Sequence, residues 1–208
     1  MKTNISLKSV VFAAALAAGL GVTARADSAP APASSDVGQG LLGQVYGTLT
    51  YSYVDLDNTS SHAEDYHFAV NQPLSFGFDG FLSYDFVDFN NGHENIVMAG
   101  LRPFSTHFNW GKPYLEAGAG YAWLSNAGIN DNSFVWEATA GVELQVTTKT
   151  TITPYVQYMD APSLPSDGTW NFGAKGNYWV TPQWAVTGSV QIDDSNNVGF
   201  TVGTNFRF

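Results

Sequence analysis

The chain has 208 residues, 8 Lys and Arg against 18 Asp and Glu, no Cys and a formal charge of −10. Binding to a nucleic-acid backbone needs clustered Lys and Arg and is excluded for the chain as a whole; disulfides and thiolate zinc sites are excluded too. Charged residues make up only 12% while aromatics reach 14%, a balance expected of strands that face an apolar surrounding.

Residues 1–26 read as a secretory signal peptide. Lys2 and Lys8 sit in a short basic start, VVFAAALAAGLGV is the apolar centre, and Ala24-Arg25-Ala26 is an A-x-A cleavage signal. The apolar run falls short of the ~18–20 residues that a membrane helix needs. Cleavage removes Lys2, Lys8 and Arg25 and leaves 5 basic residues against 18 acidic ones. Residues 27–42 are rich in Pro, Ala and Ser and are expected to form a flexible periplasmic leader with no core of their own. Residues 43–208 are expected to form one domain.

From residue 43 onward apolar and polar residues alternate with a period of two, the mark of strands with one apolar face. Ten segments follow: roughly 43–55, 63–71, 75–89, 94–104, 113–125, 133–146, 151–161, 170–180, 183–193 and 197–208. In the third, Phe76, Phe78, Gly80, Leu82, Tyr84 and Phe86 oppose Gly77, Asp79, Phe81, Ser83 and Asp85. In the sixth, Phe134, Trp136, Ala138, Ala140, Val142, Leu144 and Val146 oppose Val135, Glu137, Thr139, Gly141, Glu143 and Gln145. The last sets Val198, Phe200, Val202, Phe206 and Phe208 against Gly199, Thr201, Gly203, Asn205 and Arg207. Most segments have the ~9–11 residues of a tilted membrane strand. NTSSHA, NNGH, SNAGINDNS, APSLPSDG and SNN are expected as loops on one side, and NQP, TTKT and TPQ as tight turns on the other, with STHFNWGK a longer exception. Long loops outside and short turns inside are the habit of transmembrane barrels.

A soluble sandwich or lipocalin-like barrel has its apolar faces inward. Two features favour the membrane barrel. The apolar face carries Tyr53, Tyr66, Trp123, Trp136, Tyr158 and Trp170 towards the loop side, and Tyr178 and Trp184 towards the turn side, as candidate aromatic girdles. The polar face holds Arg102 and Lys175 in a chain with few basic residues. The reading is therefore all-β: a closed antiparallel transmembrane β-barrel of about ten strands, with eight as the runner-up.

The signal peptide, the amphipathic strands and the last strand GFTVGTNFRF ending in Phe208 together resemble the small outer-membrane β-barrel proteins of Gram-negative bacteria, the OmpA/OmpX-like and opacity-type barrels. The resemblance covers residues 43–208 and is architectural. It implies a monomer in outer-membrane lipid and lipopolysaccharide, and insertion by the barrel-assembly machinery, which reads a C-terminal aromatic, here Phe208. The family's common member has eight strands.

Charge is distributed unevenly. The expected outer loops and rims hold Asp55, Asp57, Glu64, Asp88, Glu94, Asp131, Asp160, Asp167, Asp193 and Asp194, and no basic residue. Such an end attracts cations by its field, and its carboxylates suit divalent-cation bridging to lipopolysaccharide. The inward face holds His67, Asp79, Asp85, Arg102, Glu116, Glu137, Glu143, Lys175 and Arg207. A turn centred near residue 73 puts His67 across from Asp79. A loop near 91 puts Arg102 within a residue or two of Asp79. A turn near 108 sets Glu116 diagonal to Arg102, and a loop near 129 sets Glu143 diagonal to Glu116. His67, Asp79, Arg102, Glu116 and Glu143 are thus expected as one band across strands two to six, an ion-pair network filling the lumen or an ion-selecting constriction.

No catalytic constellation emerges. A His beside an acid is half of a nucleophilic site, and the positioned nucleophile is missing. No cofactor or metal is expected, and the chain is not read as an enzyme. The expected function is a narrow porin-like pathway for small solutes or cations, or else a non-conducting structural or surface-interaction barrel.

Overall fold

The computed structural model describes residues 40–56, 62–75, 77–90, 92–126, 129–163 and 168–208. The expected signal peptide, most of the expected leader, Asp57 and Asp167 lie outside the described residues. The described chain forms ten strands: β1 (Tyr46–Asp55), β2 (His62–Ser75), β3 (Phe78–Phe89), β4 (Gly92–Pro103), β5 (Lys112–Asn126), β6 (Ile129–Thr147), β7 (Thr150–Asp160), β8 (Thr169–Trp179), β9 (Trp184–Asp193) and β10 (Val198–Arg207). Each pairs antiparallel with its sequence neighbours, and β1 pairs with β10, closing the barrel. All ten expected segments are strands. Closure satisfies every edge, which hydrocarbon demands.

The two faces differ as the alternation requires. In β1, Tyr46, Thr48, Thr50, Ser52 and Val54 are buried inside, while Leu49 is 58% exposed outside. Leu115, Phe134, Phe172, Phe200 and Val202 are likewise exposed on the outer wall. The core of this molecule is polar and its surface greasy.

Following the pairing partners of Thr50 one way round the barrel reaches Ser133 on β6, through His67, Asp85, Ile96 and Ala122. The other way reaches Gln145 on the same strand, twelve residues further along, through Gly203, Thr187, Asn177 and Thr151. With a rise of ~3.3 Å and a strand spacing of ~4.8 Å, that shear over ten strands tilts them by about 40° and places the backbone about 10 Å from the axis. The tilt is within the ~35–45° of membrane barrels.

Two connections depart from expectation. The tight turn expected at NQP (71–73) is not there, because β2 continues through Pro73 to Ser75 and β3 begins at Phe78. Pro73 lacks an N–H, which interrupts a ladder. Here nothing is lost, because pairing with β1 ends at Asn71 and only β3 continues alongside, with a register shift between Pro73 and Ser75. The loop expected over SNAGINDNS is mostly strand, with Asn126 paired to Ile129. Pairing of β6 with β7 begins only at Trp136, so the first part of β6 is paired with β5 alone, while β5 stays paired with β4 through Asn126. Long connections are therefore not confined to one end: 90–91 and 127–128 on the far side are short, while 104–111 on the terminal side is long.

The leader was expected to be free chain to residue 42. Its described end is packed instead. Residues 40–45 cross the barrel mouth at which β1 starts and β10 ends, with Leu41 and Leu42 only 6% and 5% exposed.

Candidate functional site: the lumen

Three layers fill the interior. At the far end, apolar side chains point inward: Ile96, Met98, Ala122, Leu124, Val135 and Met159 form one cluster and Val54, Leu56, Ala63 and Val87 another, with Phe89 packed on both. Their parity was visible in the sequence, since Ile96 and Met98 share the face of Arg102, and Val135 that of Glu137. Glu94, expected on an outer rim, is inside this layer and 1% exposed.

Below it lies a polar cavity of about 230 Å³. Arg102, Glu116, Glu137 and Tyr114 line one side, and Lys175, Thr153, Thr187, Ser189 and Gln191 the other. Arg102 on β4 is ion-paired through Nε with Oε2 of Glu116 on β5. Its Nη1 donates to the Tyr46 hydroxyl at 2.9 Å and to Oδ1 of Asn71 at 3.1 Å. The guanidinium also lies 5.5 Å and 5.8 Å from the rings of Phe81 and Tyr114, within cation–π range. Glu137 accepts from Nε2 of Gln157 at 2.7 Å. On the β7–β1 wall, Thr48 bonds Asn205, Asn205 bonds Asn177 and Asn177 bonds Thr151 in an inward ladder.

The expected band is partly assembled and partly regrouped. Asp79 is directly opposite Arg102, and Glu116 pairs with Arg102 head-on. His67 faces Asp85 rather than Asp79, with Nδ1 at 3.6 Å from Oδ1. The β2–β3 hairpin is centred three residues later than expected, and each residue of displacement of the centre moves the partner by two. Glu143 leaves the band for the same reason: β5 runs to Asn126 and β6 starts at Ile129, so Glu143 is opposite Lys112, with Nζ at 3.6 Å, and Glu137 takes its place near Glu116. Asp65, missed from the sequence, lies inward beside Asp85 and accepts from Ser52 at 3.4 Å. Asp85 is fully buried and neither of its carboxylate oxygens has a hydrogen-bond donor.

The third layer closes the terminal end. Leu41 packs with Tyr46, Trp179 and Ala185. Trp179 is an inward residue that the sequence reading missed, and Arg207 lies 3.6 Å over its ring. Backbone groups of the leader take up the floor charges. Leu41 N–H donates to Glu143 Oε2 at 2.6 Å, and Gly43 N–H to Asp79 Oδ2 at 3.0 Å. Lys112 Nζ donates to the Leu42 carbonyl at 3.2 Å, Asn71 Nδ2 to the Gln44 carbonyl at 2.9 Å, and Arg207 Nη2 to the Gly40 carbonyl.

Outside, Tyr53, Tyr66, Trp123, Trp136, Tyr158, Trp170, Tyr178 and Trp184 all lie on the outer wall. Towards the far end their rings touch in runs: Tyr51 to Tyr66 to Phe86, and Trp136 to Tyr158 to Trp170, with centroids 5.0–6.3 Å apart. Phe208 is 79% exposed beyond the end of β10, and its N–H is bonded to the Val45 carbonyl at 3.1 Å.

A closed antiparallel barrel with a greasy wall outside and a polar, charged interior has the architecture of a transmembrane β-barrel. Among solved structures, the chain is similar to the NanC porin, at 10% identity over 79% of this chain and 100% of that one, with a TM-score of 0.47. It is similar to the KdgM porin at 10% identity, 77% and 99% coverage and a TM-score of 0.45. The N-terminal β-barrel domain of Pseudomonas aeruginosa OprF gives 15% identity, 79% and 99% coverage and a TM-score of 0.46. No family model matches the sequence and no curated protein is similar to it. At such identities the likeness is one of barrel to barrel and carries nothing about solutes.

Proposed function

We propose that the protein is an outer-membrane barrel providing a narrow, porin-like pathway that prefers small cations. The observation that carries this is the charge of the inner wall. Asp65, Asp79, Asp85, Glu94, Glu116, Glu137, Glu143 and Asp193 face inward, against Arg102, Lys112, Lys175 and Arg207. Around them the β7–β1 wall is lined with Thr, Ser, Asn and Gln, which water and hydrated ions tolerate, next to the 230 Å³ cavity. With the backbone about 10 Å from the axis, the interior lies between barrels filled by side chains and those with an open channel. In this reading the terminal end faces the periplasm and the β5–β6 hairpin the outside.

A second reading has its own observation. The apolar layer around Met98 and Val135 can seal the far end, giving a structural or surface-interaction barrel that does not conduct. Its exposed acidic rim, with Asp55, Asp88 and Asp131, would then meet lipopolysaccharide through divalent cations.

Single-channel recording of refolded protein in a planar bilayer separates the two. The pathway reading expects small currents whose cation preference falls as salt rises, because screening shortens to about 10 Å at 0.1 M. Anion-selective currents would refute the charge argument, and silence under all conditions would favour the structural barrel.

A further inference from the structure

We infer that residues 40–44 are a built-in plug that closes the terminal mouth of the barrel and limits passage through it. This rests on the pathway reading. Three observations place the segment as a docked part. It is buried: Leu41 and Leu42 are among the least exposed apolar residues of the chain. It is bent to fit, since Gly40 and Gly43 adopt φ of 65° and 82°, the left-handed region that side chains disfavour. A side chain there would also press on the cradle: a Cβ on Gly43 would be 3.1 Å from the Phe104 ring, and one on Gly40 would displace the Glu143 carboxylate.

The third observation is the use of four charged side chains and one amide at the floor. Asn71, Asp79, Lys112, Glu143 and Arg207 come from five different strands. Each directs a polar atom at a backbone N–H or C=O of residues 40–44. Backbone groups carry no net charge, so acids and bases are drawn to the same short segment, acids to its N–H groups and bases to its carbonyls. Charge-assisted bonds of this kind are the stronger class. Five side chains converging on one strap make it a clamp, and the strap lies across the route from cavity to periplasm.

The test uses the full-length protein recovered from membranes. The natural chain has no Cys, so a single introduced thiol reports alone. Leu42→Cys should react with a maleimide about tenfold more slowly than Thr106→Cys, which is on the exposed 104–111 connection, as protection by a docked segment requires. Leu41→Asp and Gly43→Val change the strap and leave every strand residue in place, Leu41→Asp removing its packing on Tyr46, Trp179 and Ala185. Added to Leu42→Cys, either should restore labelling to the rate of Thr106→Cys. In bilayers, the same leader variants should raise conductance severalfold over wild type. Fast labelling of Leu42→Cys without a second change would overturn the docked plug. Fast labelling in the leader variants with a wild-type current that is measurable and unchanged would overturn the plug as the limit on passage. Silence of both, with the leader shown to be undocked, would overturn the pathway reading and with it the gate, leaving only a docked leader.

Discussion

Arg102 tests the logic of the lumen. It and Glu116 are 16% and 12% exposed at the side chain, so water screens the pair little. Replacing Arg102 with Met keeps an apolar stem between Phe81 and Tyr114 but leaves the Glu116 carboxylate without its ion-pair partner. Breaking a buried pair by removing one partner costs ~3–5 kcal/mol, mostly from the stranded charge, whereas removing both is often close to neutral. Tyr46 and Asn71 also lose a donor in either variant, worth ~1 kcal/mol each. Arg102→Met alone should therefore lower stability by roughly 3–5 kcal/mol, about two to nearly four orders of magnitude in the folding constant. Adding Glu116→Gln to it should recover roughly 2 kcal/mol or more, because no charge is left stranded. Equilibrium urea unfolding in lipid vesicles, followed by the fluorescence of the six Trp, measures both. A double variant no more stable than the single would refute the claim that Glu116 depends on Arg102.

Other outcomes follow from facing and closure. Ala140 is on the outer wall midway between Trp136 and Leu144, so Ala140→Arg should cost ~2–4 kcal/mol in the same titration. Thr139→Arg next to it enters the cavity opposite Glu116 and should cost clearly less; the reverse ranking would mean that the register of β6 is wrong. Deleting Phe208, or replacing it with Asp, should reduce the amount of heat-modifiable, folded barrel in membranes, and normal amounts of several such variants would remove its assembly role. If the apolar layer is the far constriction, Met98→Ala with Met159→Ala should raise bilayer conductance, and unchanged currents would place the narrowest point elsewhere.

The number of strands, their facing and the outer aromatics were legible because a two-residue period reports directly on which wall a side chain joins. Phe134 and Glu137 differ by an odd number of positions and lie on opposite walls. What the sequence could not supply was the position of each turn to within a residue. Pro73 looked like a stop, yet it is harmless where β1 no longer pairs, and that moved His67 from Asp79 to Asp85. Polar residues 130–132 looked like loop, yet they continue the ladder with β5, and that moved Glu143 down to Lys112. The wall a side chain joins is set by alternation within its own strand, so His67 and Glu143 kept their wall and changed their partners. The docking of Leu41 was hidden for a different reason. Its partners Glu143, Tyr46, Trp179 and Ala185 come from four strands, which only the closed barrel brings together.

The inward ladder from Thr48 to Asn205 has a consequence for how the molecule comes into being. Thr48 and Asn205 are 157 positions apart, and their bond lies on the seam where the first strand meets the last. No shorter piece of the chain can make that junction. A nascent protein that ends before Val198 is a curled sheet with the ladders of β1 and β9 both bare, and in hydrocarbon each bare backbone group costs several kcal/mol. Completion of the ring is thus all or nothing. The hydroxyl and amide groups that bridge the seam from inside, Thr48 to Asn205 and Ser52 to Thr201, act as its clasp.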